Sequence, residues 1–217
     1  SNGGSANLKW SFTVPFRYSN ELGGSLRGDL AFSAIDDVDN DGKNEIIFTE
    51  HEINTLPDWP GNIYILEDNG NNPIWEANYT LGNGGGRGAP SIADIDGDGK
   101  LEIIVPTWYG VFALDYDNGV ISQKWSNTDG MIQGAVVISD VDKDNEYEVI
   151  YTTHSDKCDN TKTCFNRTYI RDAKTGTNEV GSPITLPAVS RVTPAVGDID
   201  DDGNVLGCII RGYKSDK

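Results

Sequence analysis

The chain has 217 residues, enough to bury a sizeable core within one or two domains. Its 34 acidic and 17 basic residues leave a net charge of -17, which argues against nucleic-acid binding and against anionic membrane surfaces. No stretch approaches the roughly 20 apolar residues of a membrane span, so membrane insertion is not expected.

The opening SNGGSAN, without Met, reads as that of a processed mature chain or of an engineered expression product. NLKWSFTV at 7–14 reads as a strand. From residue 30 onward a unit recurs: a short apolar run, an acidic loop and a second apolar run. The pairs are LAFSAI with EIIFTE, PSIA with EIIVPT, AVVIS with EVIYTT, and TPAVG with LGCIIRG. All are short, rich in β-branched residues and bounded by turns, the pattern of strand, loop, strand. A third run follows in the first three copies (GNIYILED, GVFALDY, RTYIRDA). A fourth follows as NPIWEANY, ISQKWSN and a less clear version around 178–186. Four antiparallel strands per period, with intervals of 57, 46 and 58 residues between loops, predict an all-β chain of propeller type with about four blades. The blades fall at about 30–80, 89–127, 134–187 and 193–217, in a single domain over 1–217. The last copy stops after its second strand, and 7–14 is available to complete it or to be given to a neighbouring copy.

Each loop carries a carboxylate on alternate residues: Asp37, Asp39 and Asp41; Asp94, Asp96 and Asp98; Asp140, Asp142 and Asp144; Asp198, Asp200 and Asp202. Three carboxylates at that spacing wrap one hard cation only if the backbone curls. Gly42, Gly99 and Gly203 supply the positive φ, with Asn145 standing in for the third copy. Three to four Ca²⁺ ions are expected. An oxygen-rich, nearly all-protein loop suits Ca²⁺ better than the smaller, strictly octahedral Mg²⁺. The loops are not EF-hands, whose twelfth residue is a bidentate Glu: here the twelfth places are Phe48, Val105, Tyr151 and Ile209, all in apolar runs. The acid falls instead at the ninth place, as Glu45, Glu102 and Glu148, and the fourth loop has Leu206 there.

This recurring A-D-I-D-G-D-G-K-x-E-I-I-V pattern resembles the FG-GAP or VCBS repeat family, which includes the calcium loops of integrin α-chain propellers and many microbial surface proteins. The resemblance covers about residues 30–212. It implies side-chain ligation by the twelve aspartates and by Glu45, Glu102 and Glu148, with carbonyl oxygens from Lys43, Lys100, Glu146 and Asn204. The fourth loop, lacking a ninth acid, is implied to be the weakest. The strand and turn pieces GNIYILED and GVFALDYDNG also resemble PQQ-like propeller repeats.

Several other features bear on function. Asn78-Tyr-Thr80 and Asn166-Arg-Thr168 are N-glycosylation sequons, and Cys158 and Cys164 bracket a polar segment that reads as a disulfide-pinned loop. With calcium affinities in the extracellular range, they point to a secreted or cell-surface protein. Cys208 reads as a buried small hydrophobe. His51, Trp108, His154 and Gly212 hold equivalent places fourteen residues after the loop starts; they read as polar and aromatic strand ends rather than a metal or glycan platform. Arg87 and Arg191 read as structural partners of carboxylates, and GNGGGRG at 82–88 as a flexible inter-blade linker rather than a phosphate loop. Arg27-Gly28-Asp29 is a chance-level match to an integrin-binding tripeptide. No catalytic set emerges from two histidines and carboxylates already committed to a cation. The expected function is an extracellular, calcium-stabilised adhesive or structural module, with a protein, a glycan or copies of itself as partner. The alternatives are a filament or surface-layer subunit joined by strand donation, and a polysaccharide-binding or polysaccharide-lyase propeller.

Overall fold

In a computed structural model of the chain, the residues described are 28–52, 61–68, 73–81, 85–86, 88–153, 166–186, 191–198, 202 and 206–208. They contain strands and turns, and no helix that could cross a membrane occurs among them. The first sheet is formed by β1 (Gly28–Asp36), β2 (Glu45–Glu52), β3 (Gly61–Asp68) and β4 (Pro73–Leu81). The second contains β5 (Ser91–Ala93), β6 (Glu102–Pro106), β7 (Val111–Asp117) and β8 (Val120–Asn127). The third contains β9 (Val137–Ser139), β10 (Glu148–Thr153), β11 (Asn166–Asp172) and β12 (Ile184–Leu186). A pair, β13 (Ala195–Gly197) with β14 (Leu206–Cys208), follows. In each sheet the strands are antiparallel and adjacent in chain order.

The apolar runs explain how the sheets stack. β6 is buried at all five positions, and its successive side chains serve two cores, as the period of two in a strand requires. Ile103 and Val105 join Ile47, Ile63, Ile65 and Leu81 in the core shared with the first sheet. Ile104 joins Val149, Tyr151 and Tyr169 in the core shared with the third. Full burial of each such side chain contributes on the order of 2 kcal/mol, so a sheet covered on both faces is anchored twice. Polar ties cross the same seams. Tyr116 Oη donates to Glu76 Oε2 at 2.9 Å, and Trp125 Nε1 donates to the Ala173 carbonyl at 2.8 Å.

The first strands of the sheets lie next to one another in series, β1 against β5, β5 against β9 and β9 against β13. Their approach is set by glycine. A Cβ on Gly88 would stand 2.2 Å from the Gly134 carbonyl oxygen, and one on Gly134 would stand 2.6 Å from Thr193 N. Ser91 Oγ donates to the Val136 carbonyl and the Ala135 N–H donates to Thr193 Oγ1, both at 2.9 Å.

The expected flexible linker at 82–88 is instead a packed joint over its described residues Gly85, Gly86 and Gly88, all buried. Gly86 bridges Thr107, and a Cβ on Gly61 would come 2.0 Å from the Gly85 Cα. The glycines are there for close approach of two backbones, a use that composition alone does not separate from flexibility. Residues 7–14, Arg87, His154, Cys158, Cys164, Gly203, Ile209 and Gly212 lie outside the described residues.

Candidate metal centre

Three acidic loops connect the first strand to the second in the three four-stranded sheets, between β1 and β2, β5 and β6, and β9 and β10. Within each, the first aspartate accepts from the backbone of the sixth residue: Gly42 N to Asp37 Oδ2 at 3.0 Å, Gly99 N to Asp94 Oδ2 at 2.9 Å and Asn145 N to Asp140 Oδ2 at 3.1 Å. The third and fifth residues accept from the residue two places on. Asp41 N reaches Asp39 and Lys43 N reaches Asp41, and Asp98, Lys100, Asp144 and Glu146 repeat the pattern.

These bonds curl the chain around its own carboxylates, and the curl requires positive φ at two places per loop. Gly42, Gly99 and Asn145 have φ of 89°, 87° and 72°, as their residue types predict. The fourth place is left-handed too, at Asn40 (61°), Gly97 (76°) and Lys143 (66°), a feature missed from sequence although Asn and Gly at two of the three places signal it.

The ninth-place glutamates are the innermost members. Glu45, Glu102 and Glu148 are 0 %, 1 % and 2 % exposed, each the first residue of its strand. Each accepts the N–H of the second loop residue on Oε2: Val38 at 2.9 Å, Ile95 at 2.9 Å and Val141 at 2.6 Å. The described twelfth places, Phe48, Val105 and Tyr151, are buried in the cores, as a strand rather than an EF-hand helix demands. Oxygens of Asp37, Asp39 and Asp41 converge within 4.8 Å of one another, as do those of Asp94, Asp96 and Glu102, and those of Asp140, Asp142 and Glu148. The fifth-place Asp98 and Asp144 and the seventh-place Lys100 and Glu146 lie on the exposed rims of their loops. Of the fourth loop, Asp198 and Asp202 are exposed, while Asp200 and Asn204 lie outside the described residues.

The electrostatics follow from this burial. It pushes the Glu45 carboxyl up to about 7 against the pull of the Val38 N–H, with repulsion from Asp39, Glu76 and Asp37 added. Glu148 rises to about 7 in the same way, against Val141 N and with Asp142, Asp144 and Asp140 repelling it. Burial also raises Glu102, opposed by Ile95 N–H and by the Lys124 ammonium. Hydrogen bonds from Lys43 hold Asp41 below its ordinary value, and one from Lys124 does the same for Asp96.

The first loop contains the least satisfied atoms. Asp37 Oδ1 and Glu45 Oε1 are buried and have no hydrogen-bond partner. A buried, unpaired carboxylate oxygen is costly, so these two atoms call for a positive partner, and hard oxygen donors of this kind fit Ca²⁺. Asn40 Nδ2 donates to the Gly99 carbonyl at 3.2 Å, which sets the first and second loops side by side. A cavity of about 540 Å³ separates the second from the third, lined by Asp94, Asp96, Gly97, Asn145, Tyr147 and Lys174.

The remaining candidates fall elsewhere. β6 starts at its acidic loop and runs away from it, so Trp108 and the exposed Tyr109 stand at the opposite end of their sheet. Asn78 is exposed on β4, Asn166 begins β11 and is half-buried, and Arg191 is exposed.

The architecture is thus that of an all-β repeat protein, each of three sheets carrying one acidic loop between its first two strands. Residues 37–105 match the sequence profile of the FG-GAP-like repeat family. No curated protein matches the chain.

Proposed function

We propose that the chain is a calcium-binding β-propeller module of the extracellular or cell-surface kind, with an adhesive or structural rather than catalytic role. The serial packing of β1, β5, β9 and β13 supports the propeller, because first strands of successive blades line the axis in that architecture. Each sheet then counts as a blade, and the β13–β14 pair as the start of a fourth.

The observation that carries the calcium reading is the pair of buried, unpartnered oxygens in the first loop, Asp37 Oδ1 and Glu45 Oε1. Asp37, Asp39, Asp41 and Glu45 would hold the ion there, as would Asp94, Asp96, Asp98 and Glu102 in the second loop and Asp140, Asp142, Asp144 and Glu148 in the third. Lys43, Lys100 and Glu146 would add carbonyl oxygens. Bound Ca²⁺ supplies the positive charge that ties the first and second strands of a blade together. Extracellular placement rests on the acidic charge, the exposed sequon at Asn78 and the millimolar calcium outside cells, where loops with exposed rims fill.

The test is thermal unfolding with millimolar calcium and with excess chelator. Calcium is expected to raise the melting temperature by many degrees, as binding to the native state alone requires. Superimposable curves would exclude the calcium reading.

A further inference from the structure

The three loops share a curled backbone and differ in electrostatics, and much of the difference comes from one position in the segment that follows the third strand of each sheet. On β8, Ala113 pairs with Trp125 and Leu114 with Gln123, so Lys124 is the extra residue of a bulge. On β4, Ile65 pairs with Ala77 and Leu66 with Trp75, which makes Glu76 the extra residue. In the third sheet Arg171 bridges Asn178, and the next residue, Glu179, donates its N–H to the Ile170 carbonyl at 3.0 Å. A bulge re-aims the side chain it carries. Glu76 stands in the field of Asp39 and Glu45, and Glu179 in that of Asp142, Asp172 and Asp144. The equivalent places therefore read Glu, Lys, Glu, each within electrostatic reach of its acidic loop.

Lys124 reaches further than either glutamate. Its Nζ lies 2.6 Å from Asp96 Oδ2, 3.2 Å from Glu102 Oε1 and 3.0 Å from Asp115 Oδ1, and the side chain is mostly buried. Asp96 and Glu102 are two of the three residues whose oxygens converge in that loop. Glu45 Oε1 has no partner, whereas the corresponding Glu102 Oε1 has the Lys124 ammonium. A cavity of about 210 Å³ adjoins Lys124, bounded by Asp98, Glu102 and Asp115, and gives the ammonium room to withdraw.

We propose that Lys124 is the resident cation of the second loop: it offsets part of that loop's negative charge when no metal is present, must withdraw for a divalent ion to enter, and makes this loop a weaker site than the first and third. The proposal rests on the calcium reading above. Ligand charge count tunes calcium affinity in oxygen-donor loops, and a monovalent ammonium on two ligands acts against it.

The experiment is calorimetric titration of metal-free protein with calcium, for the wild type, Lys124→Met and Lys124→Glu. One site is expected to gain about tenfold or more in affinity in Lys124→Glu, and a smaller amount in Lys124→Met. A second measurement uses the wild type alone. Acetylation of Lys124, followed by mass spectrometry, is expected to be slow in chelator and to accelerate several-fold when calcium is added. If the wild type binds calcium but both variants reproduce its isotherm, or if calcium leaves the acetylation rate unchanged, the role of Lys124 is overturned and the calcium reading stands. If neither the wild type nor the variants take up calcium, both fail.

Discussion

In excess chelator, the protein is expected to become more stable as the pH is lowered from about 7.5 to about 5.5. A buried carboxylate is costly in its charged form, and Glu45 and Glu148 are two such groups. Each is held at about 7 in the folded chain, well above the ordinary glutamate value that applies to the unfolded chain. Between those values the folded state binds protons that the unfolded state does not, so stability falls as pH rises through the window. Counting both groups, the change between the two pH values is on the order of 3 kcal/mol. Asp41 and Asp96, held low by Lys43 and Lys124, contribute in the opposite sense, but only below the ordinary aspartate range and so outside this window. Saturating calcium is expected to reverse the slope, because the ion needs the same carboxylates deprotonated and acid then works against it. Urea unfolding at the two pH values, with calcium and with chelator, measures all four quantities. A metal-free protein whose stability rises with pH across this interval would contradict the assignment of Glu45 and Glu148 as buried, charge-starved groups.

The second large effect is expected at Arg171, which pairs with Val149 one residue beyond the third loop's Glu148. Its guanidinium is buried: Nη2 donates to Asp129 Oδ1 at 2.7 Å, Nε to Tyr151 Oη at 2.7 Å and Nη1 to the Gly176 carbonyl at 2.8 Å. Tyr151 in turn donates to Asp129 Oδ2, and the guanidinium lies 5.0 Å from the Tyr169 ring centre. Asp129 comes from the connection between the second and third sheets, so the cluster clamps one sheet to the next. Arg171→Met leaves Asp129 without its counter-charge in a largely buried place, at a cost of about 3 to 5 kcal/mol. Adding Asp129→Asn removes the stranded charge and is expected to recover a large part of the loss. Chemical denaturation of the single and double variants measures both numbers. A loss under about 1 kcal/mol for Arg171→Met would show that the cluster is not a clamp.

The local features were legible in the sequence because they are set by neighbours a few residues apart. Alternate aspartates followed by Gly42, Gly99 or Asn145 dictate a curled loop, and β-branched runs such as EIIV at 102–105 dictate a buried strand. The ninth-place acids were legible too, as the polar residue that opens each apolar run. What escaped depends on register and on contacts distant in sequence. Lys124 reads as an ordinary surface lysine in ISQKWSN until the bulge between Gln123 and Trp125 is known. Arg171, Tyr151 and Asp129 lie on two strands and a connection, and nothing in their spacing shows that they meet. The glycines at 85–88 look pliant in composition and are in fact packed, because a backbone that passes within contact of another is invisible until both are placed.

Calcium binding by the aspartate loops is tested by calorimetric titration of metal-free wild type alongside the triple variant Asp37→Asn, Asp94→Asn, Asp140→Asn, in which each asparagine keeps an oxygen to accept the sixth residue's N–H. Saturable calcium binding in the wild type, weakened by about tenfold or more in the triple variant, is the predicted result. No saturable binding in the wild type, or an isotherm that the triple variant leaves unchanged, would contradict it.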